Sequence, residues 1–331
     1  VSDSSVLDLG RWRETPASLG ARRWVIVSTG LRQVLRMRFF RILVMLGWIT
    51  GLLMAAIGIL FTQSIATGGW LESWAANFGP RAEAIASGVC AMILLYPDIV
   101  VRGLYTALFW AHSEIGLGLS LVAMTVLVPR LIARDRASHA LTIYLSRPLR
   151  SSDYLLGKLG IVVCLTALLW TGPLLGSWAL GMLAAPGSEF FVHSVGPLGR
   201  AMLHNLVSLI VVSTIAFGVS AAARSARGAV LLWLGVWLLA GMIAQTPGLP
   251  EPLRWLAFTH GLDVVREHVL ALSSVLGEAA EVLPFVGEEA RRNLSIAAEH
   301  LAGIGIGGPA GGLAFLVALS SAVFLRRIRP E

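Results

Sequence analysis

Six apolar runs, each long enough to cross a lipid bilayer, constrain this chain more than any other feature. They occupy 42–65, 104–128, 159–183, 201–223, 228–245 and 304–325. A crossing helix needs about 20 mostly apolar residues. Composition agrees: of 331 residues, 56% are hydrophobic and 14% charged, whereas a soluble domain carries about 25% charged residues. The deficit is that of a chain whose surface faces lipid. The expected fold is all-α, a polytopic membrane protein with six transmembrane helices. Pro129 is expected to close the second span, and Pro173 to kink the third. The apolar stretch 84–96 is too short to cross and reads as an interfacial or re-entrant helix.

Arginine and lysine set the orientation. The segment 1–41 carries Arg11, Arg13, Arg22, Arg23, Arg32, Arg36, Arg38 and Arg41. Arg224 and Arg227 lie between the fourth and fifth runs, and Arg326, Arg327 and Arg329 end the chain. The insert 129–158 adds Arg130, Arg134, Arg136, Arg147, Arg150 and Lys158. With six spans all of these fall on one side, expected to be the cytoplasm, together with both termini. Acidic residues such as Glu72, Glu189, Glu251, Asp263, Glu278 and Glu299 gather on the other side. An odd number of spans would destroy this segregation. The net charge of +7 therefore marks membrane topology, not nucleic-acid binding. Cys90 and Cys164 sit far apart in apolar sequence, without a metal-type spacing, and read as two buried thiols.

The segment before the first span, 21–38, places Trp24, Val27, Leu31, Val34 and Leu35 near one helical face with arginines over much of the rest. That pattern predicts an amphipathic N-terminal helix lying in the membrane interface. No cleavable signal peptide is expected, because no small-residue cleavage site accompanies the first apolar run. On the external side, 246–303 is long and amphipathic and predicts short helices on, or dipping into, the outer leaflet. Trp70, Trp74 and Trp255 suit an aromatic belt there. The glycines of 303–312 are expected to let the last span pack closely.

Searches for catalytic patterns return nothing. No G-x-x-x-x-G-K-[ST] is present, so the chain lacks that device for binding ATP. H-E-x-x-H and G-x-S-x-G are also absent from the sequence. Polar residues inside spans are functional candidates by default. His112 and Glu114 in the second span, and His204 and Asn205 in the fourth, form a candidate intramembrane polar site. His112 and Glu114, two apart, point to different helix faces. Asp98 and Arg102, four apart, are expected to form an interfacial ion pair.

The insert carries the most specific pattern. Asp135-Arg136 is followed by Ala140-Leu141, then Leu145-Ser146-Arg147-Pro148, then Tyr154-Leu155-Leu156-Gly157-Lys158. This run resembles the cytoplasmic bridge between the second and third spans of type-2 ABC transporter permeases. It is most similar to those grouped with multicopper-enzyme maturation systems. The resemblance implies that 129–158 contains a coupling helix that docks on a separate ATPase. Two ATPase subunits would hold the ATP and magnesium, so this chain would carry no cofactor. A second permease copy, identical or not, would complete the pathway in a bacterial cytoplasmic membrane, with export as the expected direction. Leu141 and Tyr144 would anchor in the ATPase, with Asp135, Arg136, Arg147, Asp153 and Lys158 as polar contacts. The expected organisation is one permease domain: 1–41 cytoplasmic and interfacial, 42–128 spans one and two, 129–158 coupling segment, 159–245 spans three to five, 246–303 external loop, 304–331 span six and tail. A secondary transporter would show inverted repeats and more midplane polar residues, and neither is visible. A non-transporting membrane scaffold is the other class left open.

Overall fold

The computed structural model describes residues 18–65, 69–137, 151–185, 187–282, 287–303 and 305–328. It is all-α: 90% helical and without strands among those residues. Helix α1 (Leu19–Leu35) precedes α2 (Arg38–Ile65), the first span. Short helices α3 (Trp70–Ala76) and α4 (Pro80–Leu95) lead into α5 (Pro97–Val128), the second span, which continues into α6 (Arg134–Ala137). The third span is α7 (Ser151–Thr166) followed by α8 (Gly172–Leu183); the fourth is α9 (Glu189–Ala222) and the fifth α10 (Ala226–Gln245). Helices α11 (Glu251–Arg254), α12 (Phe258–Leu270), α13 (Leu272–Val282) and α14 (Glu288–Gly303) precede the sixth span, α15 (Gly307–Ile328).

Six helices among the described residues are long and apolar enough to cross a membrane, and they match the six runs of the sequence. Helix α4, with 16 residues, falls short of them. Large apolar side chains stay exposed along the spans, among them Met45, Leu52 and Leu53 in span one and Leu231, Leu238 and Met242 in span five. In water such stripes would be untenable; in a bilayer they are the lipid-facing surface.

Two spans depart from simple helix, and each departure is marked by a proline. Pro129 does not close the second span as expected. The helix passes through it as a π-turn, Pro129–Ala133. Ser220 of span four supplies the physical reason. Its hydroxyl donates to the Val128 carbonyl (2.6 Å) and accepts from the amides of Ile132 (3.0 Å) and Ala133 (3.1 Å). A foreign hydroxyl thus occupies the place of a ladder hydrogen bond, which widens the turn without orphaning backbone groups. Span three opens the same way one turn before Pro173, in the π-turn Ala167–Thr171, where Gly172 N–H reaches back to the Ala167 carbonyl. Proline lacks the amide and would crowd the carbonyl four residues earlier; a wider turn relieves both.

Helix α1 packs along α7, with Ile26 and Val27 seated where Gly157 and Gly160 leave room. Val27 and Val34 are buried as expected, but Trp24 is 62% exposed. The sequence face was drawn too wide: the protein-facing stripe follows Arg23, Ile26, Val27, Gly30 and Val34, and Trp24 turns outward from it. At the end of the bundle opposite the link between spans two and three, α12 dips between the spans. Its Phe258, Leu262 and Leu270 are fully buried, and Phe258 lies 6.5 Å from the Trp233 ring of span five. Trp255 packs inward against Gly308 and Gly312 rather than facing the interface. The glycine-rich start of span six is therefore a packing surface, as the small side chains imply.

Candidate functional site: an anchored bridge and a polar core

The bridge hangs from two helix ends that are bolted together. Tyr154 at the start of span three is buried, its hydroxyl 3.0 Å from the Leu131 carbonyl and 2.6 Å from Asp135 Oδ2. Lys158, one turn on, places Nζ 2.8 Å from the same Asp135 oxygen and 2.9 Å from the Arg130 carbonyl. The carbonyls it and Tyr154 engage belong to the π-turn of span two. Asp153, 2% exposed, receives Arg23 of α1 at 2.8 Å. One short segment thus ties spans two and three and the interfacial helix at a single level. Asp135, Asp153 and Lys158, read from sequence as polar contacts for an ATPase, have partners within the chain. Leu141, Tyr144 and Arg147, and the side chain of Arg136, lie outside what the structure describes.

The intramembrane candidates separate into two groups. His112 is buried, with Nδ1 3.3 Å from Thr50 Oγ1 of span one and Nε2 3.0 Å from the Trp170 carbonyl in the π-turn of span three. His204 meets the same residue from span four, its ring edge-on to the Trp170 indole at 5.8 Å. Asn205 donates to Thr171 Oγ1 at 3.1 Å. His112, His204 and Asn205 therefore converge on one wide turn, where His112 and Asn205 hydrogen-bond to Trp170 and Thr171 and His204 packs against the Trp170 ring. Sequence alone did not name Trp170, Thr171 or Thr50; Pro173, which marks the turn, was the available signal.

Glu114 belongs elsewhere. It projects from the other face of span two, as its spacing from His112 implies, and pairs with Arg266 of α12. Arg266 is the centre of a charged cluster at this end of the bundle. Its side chain is 8% exposed, its guanidinium lies 4.5 Å from the Trp110 ring, and Asp263 (3.7 Å) and Glu267 (3.9 Å) stand beside it. Glu267 in turn accepts from Trp110 Nε1. Burial works against the Arg266 charge and Glu267 supports it. A second tie links the same elements: Arg102 pairs with Glu278 of α13, not with Asp98 as expected from sequence. The reason is reach: α13 lies across the Arg102 end of span two and brings Glu278 to the guanidinium. These contacts clamp α12 and α13 onto span two.

Asp263 makes the clamp sensitive to pH. Its carboxyl is pushed up from 3.8 to about 6, by burial first and by Glu267 second. The folded protein then holds this proton more tightly than the unfolded chain. The resulting stability is complete below the unfolded value and lost as pH rises through about 6. Between about pH 4 and about pH 6, Asp263→Asn should flatten the fall in melting temperature of purified protein. A profile identical to the parent's would remove Asp263 from the clamp.

Comparison with known proteins bears on the middle of the chain. No curated protein matches it. The family described as "ABC-2 family transporter protein" matches residues 121–274. That interval holds the end of span two, the bridge with its anchors, spans three to five and the buried helix α12. The match and the six crossing helices agree with each other and with the bridge motif, and together they support an ABC-2 family permease.

Proposed function

We propose that this chain is the membrane-spanning subunit of an ATP-driven exporter in a bacterial cytoplasmic membrane, working with a second permease copy and two separate ATPase subunits that hold ATP and magnesium. The observation that supports this best is the anchored bridge. Tyr154, Lys158 and Asp135 join the two helices that flank 138–150, so a force applied there is delivered to spans two and three together. Ser220 extends the linkage to span four. Coupling contacts are assigned to Leu141, Tyr144 and Arg147 within the bridge, with Asp135, Asp153 and Lys158 setting its base. The polar core of His112, His204 and Asn205 lies where spans one to four meet. It is the part of the pathway that a moving span three would rearrange.

Topology is checked with single cysteines at Ser151 and Ser188 in a background lacking Cys90 and Cys164. Charge segregation places them on opposite sides, Ser151 in the cytoplasm. An impermeant maleimide should label only Ser188→Cys from outside. Labelling of both from outside overturns the orientation.

Energy coupling is checked by purification from native membranes. An ATP-binding-cassette subunit should accompany the chain, and the isolated chain should hydrolyse no ATP. Tyr144→Ala should insert normally yet bind the ATPase roughly 30-fold more weakly, as loss of a hot spot worth about 2 kcal/mol implies. Unchanged co-purification and transport for Tyr144→Ala and Arg147→Ala would make the bridge a passive linker.

A further inference from the structure

Spans four, five and six do not close on one another. Span six packs along span four, span five leans away, and between them runs an apolar groove of about 410 Å³. Small-molecule sites fall in the range of roughly 300–1,000 Å³. The walls extend from Ala222 and Val323, at the arginine-bearing end of the bundle, to Leu256 and Phe258 around the start of α12. Among the lining side chains Ser320 alone is polar. The groove is open sideways: Leu232, Leu239 and Leu319 on its rim are 46%, 58% and 49% exposed.

Water has too few partners there to be held, and an empty cleft of this length forfeits the dispersion contacts of its lining. Hydrocarbon from the bilayer fits the walls. The mouth adds selectivity. Arg224 follows Ala222 by two residues and Arg227 opens span five; Arg326 and Arg327 stand about one turn beyond Val323. All four are exposed, and among the described residues none of the four forms an ion pair. Basic clusters between transmembrane helices attract anionic headgroups.

We propose that this groove holds an acyl chain of an anionic phospholipid, whose phosphate is engaged by Arg224, Arg227, Arg326 and Arg327. The lipid fills the wedge between spans five and six and fixes their separation. This assignment stands apart from the exporter reading, because it requires neither an ATPase nor a direction of transport.

The test uses the full chain in phosphatidylcholine nanodiscs with a trace of phosphatidylglycerol or phosphatidylcholine carrying a photoactivatable group on the acyl chain. Adducts are mapped by mass spectrometry. Phosphatidylglycerol should label Val236 and Leu316 about five-fold more than phosphatidylcholine does at low salt. Both lipids should label Leu52 and Leu53 of span one equally. Replacing the four arginines by glutamine should abolish the preference at the groove and leave span one labelling unchanged. Leu239→Trp should lower groove labelling by either lipid, with span one labelling again reporting correct insertion. Equal labelling of the groove by the two lipids overturns the proposal. So does efficient disulfide formation between Leu239→Cys in one copy and Leu319→Cys in another, which would make the groove an interface between copies.

Discussion

Arg266→Ala is expected to cost about 3 kcal/mol of stability, the low end for stripping one partner from a buried ion pair. The low end applies because the stranded groups differ. Glu114 and Asp263 are 57% and 46% exposed at the side chain and can rehydrate, whereas Glu267 is 18% exposed and cannot do so fully. The truncation also removes the guanidinium from the Trp110 face. Unfolding in detergent should show the loss, and the segment 258–282 should become the first region to exchange amide hydrogens. Glu114→Gln alone should cost less than about 1 kcal/mol, since an exposed partner contributes little. The double change Arg266→Met with Glu267→Gln should recover part of the loss, because no buried carboxylate then lacks a cation. If Arg266→Ala unfolds with the parent, the cluster is decorative and α12 is held by its apolar face alone.

A comparable effect is expected at the crossing of spans one and three. Gly47 and Gly51, one turn apart, face the π-turn directly: a Cβ on Gly47 would enter the Leu169 carbonyl, and one on Gly51 would lie 2.8 Å from Pro173 Cβ. Small residues at this spacing let two helices in lipid approach closely. The obstruction at Gly47 is backbone, so no rotamer change relieves it. Gly47→Leu should therefore cost about 3 kcal/mol or fail to assemble, the upper range for overpacking. Gly118→Ala in span two meets nothing within 4 Å and should be neutral or slightly stabilising. Melting temperatures of the purified variants check this pair. Equal stability of Gly47→Leu and Gly118→Ala would show that the two spans separate freely at this level.

The spans were legible because a bilayer imposes a length and a polarity that any long apolar run reveals locally. The bridge was legible through its motif, and the charge pattern through its asymmetry. What escaped was pairing across distance. Nothing near Glu114 of span two points in sequence to Arg266, which lies in α12 beyond span five. Ser220 looked like one small residue among many in span four, yet it rebuilds the hydrogen bonding of span two. Pro129 was expected to close span two, and the helix instead runs through it. The wide turn found there and the one before Pro173 depend on neighbours that propensity does not contain. Trp24 was misplaced for a simpler reason: a helix against a membrane has two apolar sides, and periodicity does not say which one meets protein. For the bridge itself, Leu141, Tyr144 and Arg147 lie beyond the described residues, so their roles rest on the resemblance and its proposed experiment.

The hydroxyl of Ser220 also sets a phase. A π-turn holds one more residue than the α-turn it replaces. If the Pro129–Ala133 turn tightened to α geometry, everything beyond it would swing by about 100° and advance by about 1.5 Å. The first turn beyond it carries Asp135, and with it the grip of Tyr154 and Lys158 on span two. Withdrawing a single side chain of span four would thus free the stem of the bridge to turn and advance by that step.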